Sequence, residues 1–593
     1  MRKIVIFLVL CFLVFARSSN AQEKTMNEEF RKKPPMPLAE RPFSISKPIE
    51  ATLRNGLKIV VFENKRLPIV NFRLCFRSGE INDPPDSIGL TARLAQMLNQ
   101  GTKTRTSKQF AEEVETIGAS LYAGATSDNF TISGSSLNIY SEKLLELMAD
   151  MVLNPTFPEK ELNLQKQNAI EALKFQRSQP GFLADEQVAR LIYGKHPYSI
   201  VSPKEQDIEK ITRQKLFDFH KKILIPNNAI LIVVGDVSFE DIKNKIEKYF
   251  TNWEKGNVES RNFENPPTRN EVTITVVDRK GSAQANIVIS NLAIPRNHPD
   301  YFPVLVMNQI LGGGASSRLF MNLRESKGYT YGAYSSFDMR RLAGAFEATA
   351  EVRTAVVGDA LKEFFYEFNR IRNEKVSAEE LQDAKNFLTG VFPIRLETQE
   401  GLTNIITQQQ LFDLPSDYLQ TYRDKVNQVT AEDVQRVAQK YILPDRFAIV
   451  IVGDAEEIIK QVKSYSSKIE VFDTSGNQQN LADYLKPDEA PTVDVTGKWT
   501  LSATAQGQEL PLVLILKQDK EKVSGSLESA FGKGEVNGKV KGNKLKATAT
   551  ISFQGQNLEL NLDTTVKGDS MNGNITSAMV PIPITVSGKK VVE

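Results

Sequence analysis

Two stretches of this 593-residue chain, 212–236 and 430–454, repeat one order of signals. The first holds Lys222-Ile223-Leu224-Ile225-Pro226, the apolar run 229–234 and Gly235-Asp236. The second holds Lys440-Tyr441-Ile442-Leu443-Pro444, the apolar run 447–452 and Gly453-Asp454. Pro226 and Pro444, Gly235 and Gly453, and Asp236 and Asp454 each stand 218 residues apart, with no gap. A helix, a proline-started buried strand and a Gly-Asp turn recurring in fixed register predict two homologous domains, at residues 49–265 and 266–472. A chain this long exceeds one hydrophobic core, so further domains are expected outside the pair.

The N-terminus carries Arg2-Lys3, the apolar block 4–16, Arg17 and small residues up to Ala21. That order predicts a signal peptide at 1–21 and export across the inner membrane, to the periplasm. The apolar block is short for a span, which needs ~20 residues; cleavage and retention as an anchor both stay open. Residues 22–48, with Lys33-Pro34-Pro35-Met36-Pro37, predict an extended Pro-rich arm. Losing Arg2, Lys3 and Arg17 would take the formal charge from +2 to −1. A chain so balanced is not expected to bind nucleic acid. The exported chain would keep one cysteine, Cys75, and could form no internal disulfide.

Within the first domain, 51–61 predicts two short strands around Asn55-Gly56, and 70–76 a third. Helices are expected over 106–117 and 141–152. A polar linker is expected at 473–492 and a domain of another kind at 493–593. There Leu558, Leu560 and Leu562 alternate with Glu559, Asn561 and Asp563, the period of a half-buried strand. Similar runs at 498–503, 512–517, 522–527 and 546–553 predict about eight strands in a small antiparallel barrel or sandwich. Trp499, after Gly497-Lys498, is read as a packing residue.

Three histidines, His196, His220 and His298, lie too far apart for a local metal motif, and no Gly-x-Ser-x-Gly elbow occurs. No chemistry is assigned to them. Other stretches carry more. Gly89-Leu90-Thr91-Ala92-Arg93-Leu94-Ala95-Gln96-Met97-Leu98, running on to Gly101-Thr102, places Leu90, Leu94, Met97 and Leu98 at i, i+4, i+7 and i+8, an amphipathic core stripe. Tyr193-Gly194-Lys195-His196-Pro197-Tyr198 comes next. Then come Leu311-Gly312-Gly313-Gly314-Ala315-Ser316-Ser317-Arg318-Leu319-Phe320, Leu323-Arg324-Glu325 and Gly328-Tyr329-Thr330-Tyr331.

In this order, over roughly residues 50–470, these motifs resemble the pitrilysin/insulinase family of zinc metallopeptidases. The resemblance implies an α+β fold: two tandem homologous α/β-sandwich domains of the insulinase/processing-peptidase type. In that family one helix carries H-x-x-E-H. Its two histidines fall here on Ala92 and Gln96, and its general base on Ala95. The third ligand, a glutamate on a later helix, falls on Ala172 within Asn168-Ala169-Ile170-Glu171-Ala172-Leu173. A one-residue shift would bring Glu171 to that position, and a single carboxylate still holds no zinc. No metal is therefore expected in this chain.

The family's Arg and Tyr, seven residues apart, bind the substrate backbone and help stabilise the tetrahedral intermediate. They fall on Arg324 and Tyr331, with Gly328 between them. A guanidinium and a phenol are suited to this, since both aim donors where negative oxygen develops. Gly312, Gly313 and Gly314 admit two readings: close approach to a bound peptide, or the end of a helix over 301–311.

The resemblance thus implies the non-catalytic subunit of a secreted zinc-dependent peptidase, not a metallopeptidase by itself. The partner would be a homologous catalytic subunit with an intact H-x-x-E-H, holding the zinc; the substrates would be peptides. The alternative is a purely structural or peptide-binding homologue with no part in catalysis.

Overall fold

The computed structural model describes residues 44–591 apart from 259–261, 486–492, 506–507, 531, 554–555 and 578–579. The expected leader and most of the arm lie outside the described residues. The first half holds β1 (Ile49–Thr52), β2 (Lys58–Glu63), β3 (Ile69–Phe76), β4 (Ser120–Ala125), β5 (Phe130–Leu137) and β6 (Ala229–Gly235). They form one sheet in the order β1-β2-β6-β3-β5-β4. The second half holds β7 (Thr273–Asp278), β8 (Gln284–Ala293), β9 (Thr330–Met339), β10 (Gly344–Arg353), β11 (Ala448–Gly453), β12 (Ile469–Asp473) and β13 (Gln478–Gln479). Their order is β13-β12-β7-β11-β8-β10-β9.

The repeat read in the sequence is the centre of each sheet. Every residue of β6 and of β11 is buried. An apolar strand with no exposed alternate is covered on both faces. β6 runs parallel to β2 and antiparallel to β3; β11 runs parallel to β7 and antiparallel to β8. Ile230 pairs with Lys58, and Ala448, 218 residues on, pairs with Thr273, 215 residues on from Lys58, so the same strand pairing recurs with a three-residue difference in register.

Six helices shape the core and the site: α1 (Leu90–Met97), α2 (Glu159–Arg177), α3 (Pro180–Tyr193), α4 (Tyr301–Leu311), α5 (Val357–Asn373) and α6 (Gln399–Leu411). The same shift carries α3 onto α6, and the two are exchanged. α3, from the first half, packs across β8 and β11 of the second sheet, and α6 packs across β3 and β6 of the first. Leu183, Val188 and Ile192 join Val277, Val288 and Val450 in one core. Arg73 on β3 donates to Asn404 on α6 at 2.7 Å. Each half completes the other's core, so the two sheets do not part as separate folding units, and the compact unit runs to Gln479. The polar stretch expected as a linker from 473 opens as a hairpin, because β13 pairs back on β12.

The C-terminal unit is a closed antiparallel barrel. Its strands are β14 (Gly497–Ala505), β15 (Gln508–Asp519), β16 (Lys522–Ser529), β17 (Gly532–Lys541), β18 (Lys544–Phe553), β19 (Gln556–Lys567), β20 (Ser570–Ser577) and β21 (Val580–Lys590). β14 pairs with both β15 and β21, which closes the ring and leaves no sheet edge. Side chains fill the interior, among them Leu501, Leu514, Leu527, Val540 and Ile551. Trp499 is fully buried, and its indole N–H donates to the Val495 carbonyl at 2.9 Å, which is the packing role expected of it.

Candidate functional site

α1 begins at Gly89, whose φ of 88° favours glycine. The buried Asp83 carboxylate caps it, accepting from Gly89 N at 2.7 Å, Thr91 N at 2.8 Å and Thr91 Oγ1 at 2.6 Å. Leu90, Leu94, Met97 and Leu98 are all buried, so the stripe is core. Burial pushes the Asp83 carboxyl up to about 6, against the pull of its Thr91 hydrogen bonds. An unfolded aspartate titrates near ~3.9, so the native state favours the protonated form. The stability this contributes is complete below about pH 4 and is lost as pH rises through about 6. The stability of wild type relative to Asp83→Asn should therefore rise by ~2 kcal/mol on acidification from pH 7 to 4.5, by urea unfolding. A pH-independent difference would show that hydrogen bonding outweighs burial.

The structure brings the four zinc-motif positions to adjoining helices. α1 lies against α2, and Arg93 donates to the Gln165 carbonyl at 3.0 Å. Ala92 is half-buried, Ala95 buried, and Gln96 and Ala172 exposed. Three methyl groups and one amide do not fit zinc, which takes imidazole, thiolate or carboxylate. Glu171 is exposed and paired with Lys174 at 2.9 Å. Among the described residues no group of three or more His, Cys, Asp or Glu is placed to hold a metal ion. The full chain purified alone is expected to carry less than ~0.1 zinc per molecule by mass spectrometry, and a stoichiometric ion would overturn this.

The histidines are occupied structurally. His196 Nδ1 accepts from Tyr198 N at 3.2 Å, His220 Nε2 donates to the Val152 carbonyl at 2.7 Å, and His298 Nδ1 accepts from Asp300 N at 3.0 Å. Burial lowers the pKa of all three. The Cys75 thiol is buried and pushed up to about 12, which leaves it unreactive.

Arg324 and Tyr331 are presented by two backbone irregularities on either side of Gly328. Residues Met321–Ser326 form a π-turn, a wider turn than the α-helix and one that recurs at functional sites. Leu323 is buried and anchors it, while the Arg324 side chain is 45% exposed. The Arg324 guanidinium lies 4.8 Å from the centre of the Phe320 ring and 3.4 Å from Glu325. Gly328, at φ 61°, closes the turn by donating to the Arg324 carbonyl at 3.0 Å.

The second irregularity lies on β9. Ala333 pairs with Ala350 and Thr330 with Val352, so Tyr331 and Gly332 together oppose the single residue Glu351. Strict alternation would put Tyr331 on the same side as the buried Ala333 and Ser335. The bulge instead turns it outward, to 86% exposure. Its hydroxyl makes no hydrogen bond among the described residues.

Gly312 ends α4, donating to the Asn308 carbonyl at 2.9 Å. It also lies against β9, where Ser335 N donates to the Gly312 carbonyl at 2.9 Å. A β-carbon on Gly312 would stand 2.2 Å from Ser335 N, and one on Gly313 2.7 Å from Gln309 Cα. At Gly314 the nearest atom would be Gln309 Nε2 at 3.5 Å. Close packing therefore accounts for the first two glycines but not the third. No local sequence signal marked the π-turn, the bulge, or the side chains behind the turn.

Residues 58–201 match the family model described as insulinase (peptidase family M16), and 210–388 the one described as peptidase M16 inactive domain. Together they cover more than half of the chain. "Uncharacterized zinc protease YmxG" of Bacillus subtilis is 24% identical over 408 residues, spanning 68% of this chain and 97% of that one. "Non-peptidase homolog YmxG" of Helicobacter pylori is 24% identical over 409 residues, spanning 67% and 92%. Among solved structures, a peptidase M16 inactive domain from Pseudomonas fluorescens superposes with a TM-score of 0.65 at 28% identity, covering 69% of this chain and 98% of that one. This chain belongs to the insulinase (M16) family of peptidases, as a non-catalytic member whose zinc-motif positions hold no metal-binding set.

Proposed function

We infer that this chain is the non-catalytic subunit of an exported, periplasmic zinc-dependent peptidase. It binds peptide substrate and supplies Arg324 and Tyr331 to a zinc site on a homologous partner with an intact H-x-x-E-H. One observation carries the reading: both side chains are turned to solvent by built irregularities, the Tyr331 hydroxyl with no hydrogen bond among the described residues and Arg324 beside its exposed neighbour Glu325, in a chain that has no metal set of its own among the described residues. A guanidinium and a phenol held this way can donate to a substrate carbonyl and to the oxyanion that forms from it.

The test is to co-express the full chain with the H-x-x-E-H homologue of the same genome. A complex that cleaves an unfolded peptide, while neither chain does so alone, supports the reading. Full activity of the homologue by itself would sink it and favour the structural alternative.

A further inference from the structure

We propose that Asn322 and Glu363 are positioning residues that hold the π-turn in the shape presenting Arg324; this rests on the reading of Arg324 as a donor acting in trans. Arg324 has little of its own to orient it. Its pair with Glu325 is exposed, and an exposed pair of this kind restrains a side chain weakly. The restraint lies behind the turn. Asn322 Nδ2 donates to Glu363 Oε2 at 3.0 Å and to Glu367 Oε1 at 2.9 Å. Lys327 Nζ meets the other Glu363 oxygen at 3.2 Å. Glu363 therefore grips the turn near its start and just past its end.

Its support is rigid. Glu363 and Glu367 stand one turn apart on α5, whose Leu361, Phe364 and Phe368 are fully buried. A primary amide has two N–H donors, and here each has a carboxylate. Within a turn closing i→i+5, a residue two positions on points roughly the other way. Asn322 accordingly faces α5 while Arg324 faces solvent. A π-turn is rarer than the α-helical alternative, and relaxing to that alternative would rotate Arg324 away from its exit direction. Bonds gripping both ends of the turn oppose that relaxation.

The experiment uses the full chain in complex with its H-x-x-E-H homologue and a fluorogenic unfolded peptide as substrate. Asn322→Ala and Glu363→Ala should each lower kcat by about 10- to 100-fold with KM close to wild type, and Asn322→Ala should also lower the melting temperature because the buried Glu367 carboxylate loses a donor. Glu363→Gln should recover part of the loss, because its amide oxygen still accepts from Asn322 while the pair with Lys327 is lost. Asn322→Asp should lose more than Asn322→Ala, since it sets a third carboxylate against two. In an Arg324→Ala background, Glu363→Ala should have no further effect. Losses that multiply in the double variant overturn the proposal, as does an unchanged kcat in Glu363→Ala when Arg324→Ala is impaired. If Arg324→Ala itself has no effect, the underlying reading falls instead. Should Glu363→Ala fail to fold, Asn322→Ala and Glu363→Gln carry the same comparison.

Discussion

Arg324→Ala in the assembled peptidase should lower kcat by about 10²- to 10³-fold while leaving the partner's zinc content unchanged, the size of effect seen when one oxyanion donor is removed. KM should change less than kcat, because the bond to the substrate carbonyl strengthens as negative charge develops on it. Arg324→Lys should recover only a small part, since an ammonium lacks the planar fork and its reach. Tyr331→Phe should cost less, about 10-fold, as it removes one donor and leaves the ring. Neither change should alter stability, because both side chains are exposed and Tyr331 has no hydroxyl partner among the described residues. Unchanged proteolysis in Arg324→Ala would leave this chain a structural or peptide-binding homologue.

Gly312→Ala should destabilise the protein by ~3 kcal/mol or more, read as a lower urea midpoint. The added carbon would stand 2.2 Å from Ser335 N and 2.4 Å from Ser335 Oγ. Strand β9 cannot retreat, since Ser335 is held on its other side by pairing with Ala348. The contact must open, and the hydrogen bond from Ser335 N to the Gly312 carbonyl goes with it. Gly314→Ala is the control, with its nearest neighbour at 3.5 Å and a stability expected within ~0.5 kcal/mol of wild type. If Gly314→Ala impairs peptide turnover without loss of stability, close approach to substrate applies at that position. A normal midpoint for Gly312→Ala would refute the packing account.

The candidate site was half legible. Ala92, Ala95, Gln96 and Ala172 state the loss of zinc chemistry by residue type alone, and no tertiary arrangement can make a methyl group a ligand. Leu90, Leu94, Met97 and Leu98 announced a core face by spacing, and all four are buried. Arg324 and Tyr331 could be named from their motif, but their presentation could not be read. Period-two alternation would put Tyr331 beside the buried Ala333, and only the register of β9 against β10 reveals the bulge that turns it out. The Asn322–Glu363 contact joins residues 41 apart that no local motif links.

The fold divides along the same line. Side-chain type and local period were enough for the two-fold repeat, the buried central strands and the all-β tail. Three things came only with the folded chain: the exchange of α3 and α6 between the halves, the closing of the tail into a barrel and not a sandwich, and the outward facing of Arg324 and Tyr331. Periodicity tells which face of an element is buried, but not against what. The partner helix, the closing strand and the strand whose register forces a bulge are set by contacts distant in sequence, and those exist only once the chain has folded.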